Sequence, residues 1–119
     1  LIYFVMSALD PKSFRQFVKH AASKLKSGGT LMIRDYARYD LAQIRFSLDS
    51  KTPKKLENNL YVRQDGTLAY YFTTDELEEL FVTEGLEVVS NEYIRRVYRN
   101  RKEDKTMHRI WIQSKFRKP

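Results

Sequence analysis

Residues 1–36 read LIYFVMSALDPKSFRQFVKHAASKLKSGGTLMIRDY, two apolar runs with an amphipathic stretch between them. Leu1–Met6 is apolar without interruption and of strand length, the pattern of a strand covered on both faces. Asp10-Pro11 then supplies a helix N-cap and a proline at the first helical position. Phe14, Phe17, Val18, Ala21 and Leu25 recur at three- and four-residue spacing and fall on one helical face. Lys24 and Lys26 suit the negative C-terminal end of that helix, and Gly28-Gly29 stops it. The run TLMIRDY predicts a second strand. Strand, helix, glycine turn and strand make a βαβ unit, whose sheet calls for helices on both faces. The eight residues IRDYARYD, 33–40, therefore sit at the carboxyl end of a buried strand, the edge at which open α/β sheets bind ligands.

Downstream, residues 37–46 predict a short helix and 47–59 a polar, lysine-rich loop. LYVRQDGTLAYYF predicts a hairpin with Asp65-Gly66 as a type I′ turn. Thr73 and Glu76 are spaced as a capping box for a helix carrying Leu77, Leu80 and Phe81, which Gly85 ends. LEVVSNEYIRRVY and MHRIWIQSKF predict two closing strands joined by the charged loop RNRKEDK. In the second of these, His108, Ile110 and Ile112 share one face, and Met107, Arg109 and Trp111 share the other.

The 119 residues, 42% of them hydrophobic, suffice for one small domain with a modest core. Twenty-two Lys and Arg against 15 Asp and Glu leave a net charge of +7, which suits an anionic partner. The charge is segregated. Residues 64–91 carry seven acids and no Lys or Arg, whereas 92–119 carry ten basic residues against three acids. The strip Arg95, Arg96, Arg99, Arg101, Lys102 and Lys105 reads either as a platform for RNA or as a solvated face. There is no cysteine, which removes disulfides and thiolate metal sites. His20 and His108 suggest no metal site, and no apolar run approaches the ~20 residues of a membrane span. The chain opens on Leu1 inside an apolar run, so the expectation is a piece of a longer domain.

The words FVMSALDP, LKSGG, IRDYARYD, YVRQDGT, YYFTTDEL and QSKFRKP together closely resemble the eukaryotic methyltransferase-like family that makes 3-methylcytidine in tRNA. RDYxxYD followed by YVRxDGT carries most of that specificity. The resemblance runs over essentially the whole chain; its departures are Tyr3-Phe4, Ala37 and a longer 47–59 loop. It implies an α/β fold: the C-terminal half of a Rossmann-like class I methyltransferase sheet (β-α-β, hairpin insertion, α, antiparallel β-hairpin). Residues 1–119 would form the C-terminal part of the methyltransferase domain, without its N-terminal cofactor-binding half, and alone would not hold the cofactor. The implied cofactor is S-adenosyl-L-methionine, and the implied substrate a cytidine in the anticodon loop of tRNA. A partner such as seryl-tRNA synthetase is implied for some members. The expected compartment is the cytoplasm, with the mitochondrion and nucleus open.

That reaction constrains the site. The N3 of cytosine has an available lone pair and no proton to lose, so catalysis rests on positioning and electrostatics rather than on a general base. The base must also be splayed out and stacked on a planar side chain. Asp35 is the candidate acceptor for the exocyclic amino group and Tyr36 the candidate stacking face. Alternatively, Asp35 pairs with Arg34 or Arg38 and Tyr36 fills the sheet edge. Asp40 and Tyr39 read as support for that pair. Arg34, Arg38, Arg45, Arg63 and Arg109 are candidate RNA contacts; Arg109, between Met107 and Trp111 on one strand face, calls for a carboxylate or phosphate. Tyr3, Phe4 and Ser7, at the end of the first strand, would line the cofactor pocket, with core packing as the other reading of Phe4. Tyr61, Tyr70 and Tyr71 read as hairpin packing. A methyltransferase for a protein or small molecule, and an RNA-binding module without catalysis, remain as alternative functions.

Overall fold

A computed structural model of the chain describes residues 1–40, 43, 55–57, 59–63, 65–102 and 105–119. Its elements are β1 (Ile2–Tyr3), α1 (Phe14–Lys24), β2 (Thr30–Tyr36), β3 (Lys55–Glu57), β4 (Leu60–Val62), β5 (Leu68–Tyr70), α2 (Thr74–Thr83), β6 (Glu87–Asn100) and β7 (Lys105–Arg117). The larger sheet runs β1-β2-β7-β6. β1 and β2 are parallel, with Ile2 opposite Ile33, and the other pairings are antiparallel. The smaller sheet is β3-β4-β5, and a parallel bridge between Ala37 and Phe72 joins it to the end of β2. The stretch 47–59, read as a loop, contains the strand β3; the predicted order of the other strands and of the two helices is the observed one.

The helices stand where their apolar spacing directs them. Phe14, Val18 and Ala22 of α1 and Leu77 and Phe81 of α2 bury against Leu31, Ile33, Ile112 and Phe116 of the sheet. Phe81 stacks on Phe116 with ring centroids 4.6 Å apart. Each of these side chains larger than alanine stabilises the fold by about 1.5–3 kcal/mol when withdrawn from water. Asp10 caps the turn before α1, its carboxylate accepting from the Lys12 amide at 3.0 Å. At the other end of α1, Lys118 reaches back 93 and 96 positions to donate from Nζ to the carbonyls of Leu25 and Ala22, both at 3.0 Å. A cation there satisfies orphan carbonyls at the negative end of the helix.

Five further expectations need correction. The first strand is far shorter than Leu1–Met6. Phe4 turns out of the sheet at φ 56, and Met6–Ala8 coil into a 3-10 turn that carries Met6 and Ser7 into the core. Its cause lies on β2, where buried Asp35 captures the Ser7 amide. Second, both helices pack on one face of the sheet. The opposite face carries half-buried Arg34, Tyr36, Trp111 and Gln113, and no described helix covers it. Third, Asp65-Gly66 is not a type I′ turn, which needs positive φ at both residues. Only Gly66 has it, at φ 85, while the Asp65 carboxylate accepts from the Thr67 amide and hydroxyl. Fourth, the capping box is half formed. Thr73 accepts from the Glu76 amide at 3.2 Å, but the Glu76 carboxylate is drawn to Tyr70 and to Arg38. Fifth, the helix read over 37–46 does not begin at Ala37. Ala37 forms the bridge to Phe72, Tyr39 turns at φ 68, and Gln43 alone of the five described residues is helical, while 41–42 and 44–46 lie outside the described residues.

Candidate functional site

The carboxyl ends of β1 and β2 open on a cavity of about 430 Å³, within the usual range for small-ligand sites. Its walls are the rings of Phe4, Tyr36, Tyr98 and Trp111, with the guanidinium groups of Arg34 and Arg109 between them. Tyr36 is the centre of an aromatic row. Its ring lies 5.0 Å from Phe4 and 5.6 Å from Tyr71, and Tyr71 lies 5.6 Å from Tyr61. The Arg63 guanidinium sits over the Tyr36 face at 5.4 Å, a cation–π contact that fixes the ring's plane. Phe4 holds a left-handed backbone that bulky residues avoid, and its amide still donates to the Arg34 carbonyl at 2.7 Å. The strained conformation keeps the ring, 41% exposed, at the cavity.

Beneath this wall lies Asp35, with 0% of its surface exposed. One carboxylate oxygen accepts from the Ser7 amide at 3.0 Å and the other from the Tyr36 amide at 2.8 Å. Burial pushes its carboxyl above the ordinary carboxylate range, and the hydrogen bonds from Ser7 and Tyr36 offset that only in part. Neither arginine pairing considered for it is formed. Asp35 ties the turn after β1 to the end of β2, and no part of it reaches the cavity. The expectation of a direct contact between Asp35 and a base therefore has no surface to act through in this arrangement.

The other candidates divide sharply. Arg34 faces the cavity, donates to Gln113 at 2.6 Å and stands 5.1 Å from the centre of the Tyr3 ring. Arg38 is taken up by structure: it ion-pairs with Glu76 and donates to the Tyr71 carbonyl at 3.3 Å. Arg63 is held by Thr67 and Leu68 at the hairpin and by the Tyr36 ring. Arg45 lies outside the described residues. Arg109 meets a carboxylate, as its position demanded: Asp40, fully buried, accepts its Nε at 2.7 Å and the Ile110 amide at 2.9 Å. That hydrogen bond raises the Arg109 pKa. Burial and the charge of Asp40 likewise hold the Tyr71 phenol above its usual range. Tyr3 is exposed at the strand end, whereas Ser7 is buried beneath it, so only Tyr3 and Phe4 of the three present side chains outward.

Tyr98 is a cavity residue the sequence did not single out, since alternation alone does not say where a long edge strand will pass. Among the described residues no group of three metal-ligating side chains converges, and no helix is long and apolar enough to cross a membrane.

Residues 2–91 match the profile of a family described as a methyltransferase domain. Over all 119 residues the chain is 47% identical to the tRNA N(3)-cytidine methyltransferase METTL2 of Bos taurus, and covers 30% of that protein. It is 42% identical over the same length to a protein of Dictyostelium discoideum named O-methyltransferase 3, covering 27% of it. The chain thus spans about a third or less of the length of these relatives. Among solved structures, a SAM-dependent methyltransferase from Methanosarcina mazei superposes with a TM-score of 0.69 at 19% identity, over 98% of this chain and 57% of that one. The α/β fold with an antiparallel closing hairpin is therefore a partial class I methyltransferase fold.

Proposed function

We infer the reaction from one premise: the chain belongs to the methyltransferase domain family. The protein of which it is a part methylates N3 of a cytidine in tRNA, in the anticodon loop, with S-adenosyl-L-methionine as methyl donor. One observation carries this reading. A chain 47% identical along its full length to a tRNA N(3)-cytidine methyltransferase has an aromatic cavity flanked by guanidinium groups at the carboxyl ends of its parallel strands. Its later strands and closing hairpin support the reading of residues 1–119 as the C-terminal part of the domain.

The residues fit the chemistry in distinct ways. S-adenosyl-L-methionine supplies an electrophilic methyl group on a sulfonium. Cytosine N3 would take that methyl group on its lone pair and has no proton to lose, so no residue of the site need serve as a general base. Tyr36 stacks the extruded base, with Phe4 and Trp111 completing an aromatic wall. The negative ring faces favour the positive charge that passes from sulfonium to base. Asp35 acts as a positioning residue: its bonds to the Ser7 and Tyr36 amides fix the wall. Arg34, Arg63 and Arg109 supply positive charge toward RNA, and Arg38 holds the segment to α2 through Glu76. For the cofactor, Tyr3 and Phe4 present ring surface at the strand end, where class I sheets bind it; Ser7 contributes its amide to the scaffold.

Incubating the full-length protein with tRNA and the methyl donor, then digesting the RNA to nucleosides for mass spectrometry, tests the reading. It expects 3-methylcytidine as the product. O-methylated small molecules or methylated protein, with no 3-methylcytidine, would replace it with the second reading, which the name of the Dictyostelium relative favours. Seryl-tRNA synthetase as a helper, and a cytoplasmic location, rest on the family resemblance; adding the synthetase to the same reaction should raise the yield.

A further inference from the structure

We propose that Arg109 is a preorganised clamp for one RNA phosphate at the cavity mouth, and that Asp40 is the positioning residue that aims it. The inference rests on the reading of the cavity as the site for a tRNA nucleotide. Asp40 is fully buried, and a single carboxylate oxygen accepts both the Arg109 Nε and the Ile110 amide. The grip is on the inner nitrogen of the guanidinium. Among the described residues the two terminal nitrogens, Nη1 and Nη2, have no partner, and the side chain is 35% exposed and lines the cavity.

A guanidinium held through Nε presents its outer edge as a rigid fork, which matches two oxygens of a phosphodiester and forms charge-assisted bonds there. The flanking walls, Trp111 and Tyr98, are aromatic, and among the described residues no carboxylate lines the cavity to compete for that edge. The base belongs on the neighbouring rings, so the group within reach of Arg109 is the sugar–phosphate link beside it. Asp40 stands four residues beyond Tyr36 in IRDYARYD. One short segment thus carries both the ring proposed for the base and the carboxylate that aims the phosphate contact, which couples the two placements.

The test is tRNA binding by the full-length protein across a series of salt concentrations, with 3-methylcytidine formation measured alongside. Each phosphate contact on single-stranded RNA adds about 0.7 to the slope of log affinity against log salt. Arg109→Gln should lower that slope by about 0.7 and weaken binding on the order of tenfold. Arg109→Lys keeps the charge but loses the fork, so it should weaken binding with the slope nearly kept. Asp40→Asn should raise KM for tRNA more than it lowers kcat, again with the slope nearly kept. If Asp40→Asn fails to fold, the two variants of the partly exposed Arg109 still decide. An unchanged slope in Arg109→Gln would overturn the phosphate clamp, whether or not affinity falls. Failure of the underlying reading looks different, because wild-type protein would then bind tRNA without salt dependence or form no 3-methylcytidine.

Discussion

Asp35 shows how one side chain can be correctly located and differently employed. Its place at the end of a strand was legible from the apolar run before it; its direction was not, for it was read toward the base, whereas the folded strand puts Leu31, Ile33 and Asp35 on the core face. What the sequence could not carry was the partner, because the Ser7 amide lies 28 positions away. Asp35→Ala should leave the buried Ser7 amide and the part-buried Tyr36 amide unpaired and cost about 1–3 kcal/mol for the buried one and less for the other, read from urea denaturation. The raised folded pKa gives a second expectation. A carboxyl that binds its proton more tightly when folded contributes stability that is complete below the ordinary value of 3.8 and is lost as pH rises through the folded value. The stability of wild type relative to Asp35→Asn should therefore fall as pH is raised from about 4 toward 7. A flat difference would mean that the buried carboxyl titrates as it does in the unfolded chain.

At the scale of elements, turn chemistry set the boundaries more than propensity did. Gly85 ends α2 at φ 85, in the left-handed region where an L side chain costs about 1–2 kcal/mol. Gly85→Ala should lower stability by that amount, measurable by thermal unfolding, without altering the cavity. The far end of α1 gives a contrasting case. Two lysines in its own last turns were expected to complement it, yet the structure caps it from Lys118. A tail lysine returning to a helix 93 positions earlier leaves no local pattern to read. Lys118→Met should cost about 1–2 kcal/mol, and amide hydrogen exchange should rise over residues 20–25 while the β6–β7 ladder stays protected. The shortness of β1 also follows from a distant contact, the Asp35 grip on Ser7, which ends the strand before its apolar run does.

For the molecule as a whole, the segregated charge was readable directly. Acids gather in residues 64–91, which hold α2, and bases on the closing strands, where Arg95, Arg96 and Arg99 are exposed. Such a surface predicts that tRNA affinity falls steeply with salt, by several powers of ten between dilute and physiological buffer if six or more phosphates are engaged. Apart from β3, which lies in the stretch read as a loop, the chain order and the ligand edge were also legible, because hydrophobic period and glycine stops are local signals. The cavity wall was only half legible. Tyr36 stood out as an aromatic residue at a strand end and Arg109 as a charge between Met107 and Trp111 on one strand face, whereas Tyr98 and the Asp40–Arg109 pair depend on how a long hairpin crosses the sheet. The central claim is that this wall, built on Tyr36, holds a cytidine for methylation at N3. Its most direct test is the yield of 3-methylcytidine in tRNA made by the full-length protein, wild type against Tyr36→Ala, with melting temperature measured on both. Loss of one base-stacking ring is worth about 1–3 kcal/mol, so wild type should form 3-methylcytidine and the variant about 5- to 150-fold less, at a similar melting temperature. Equal yields from the two proteins would contradict the account.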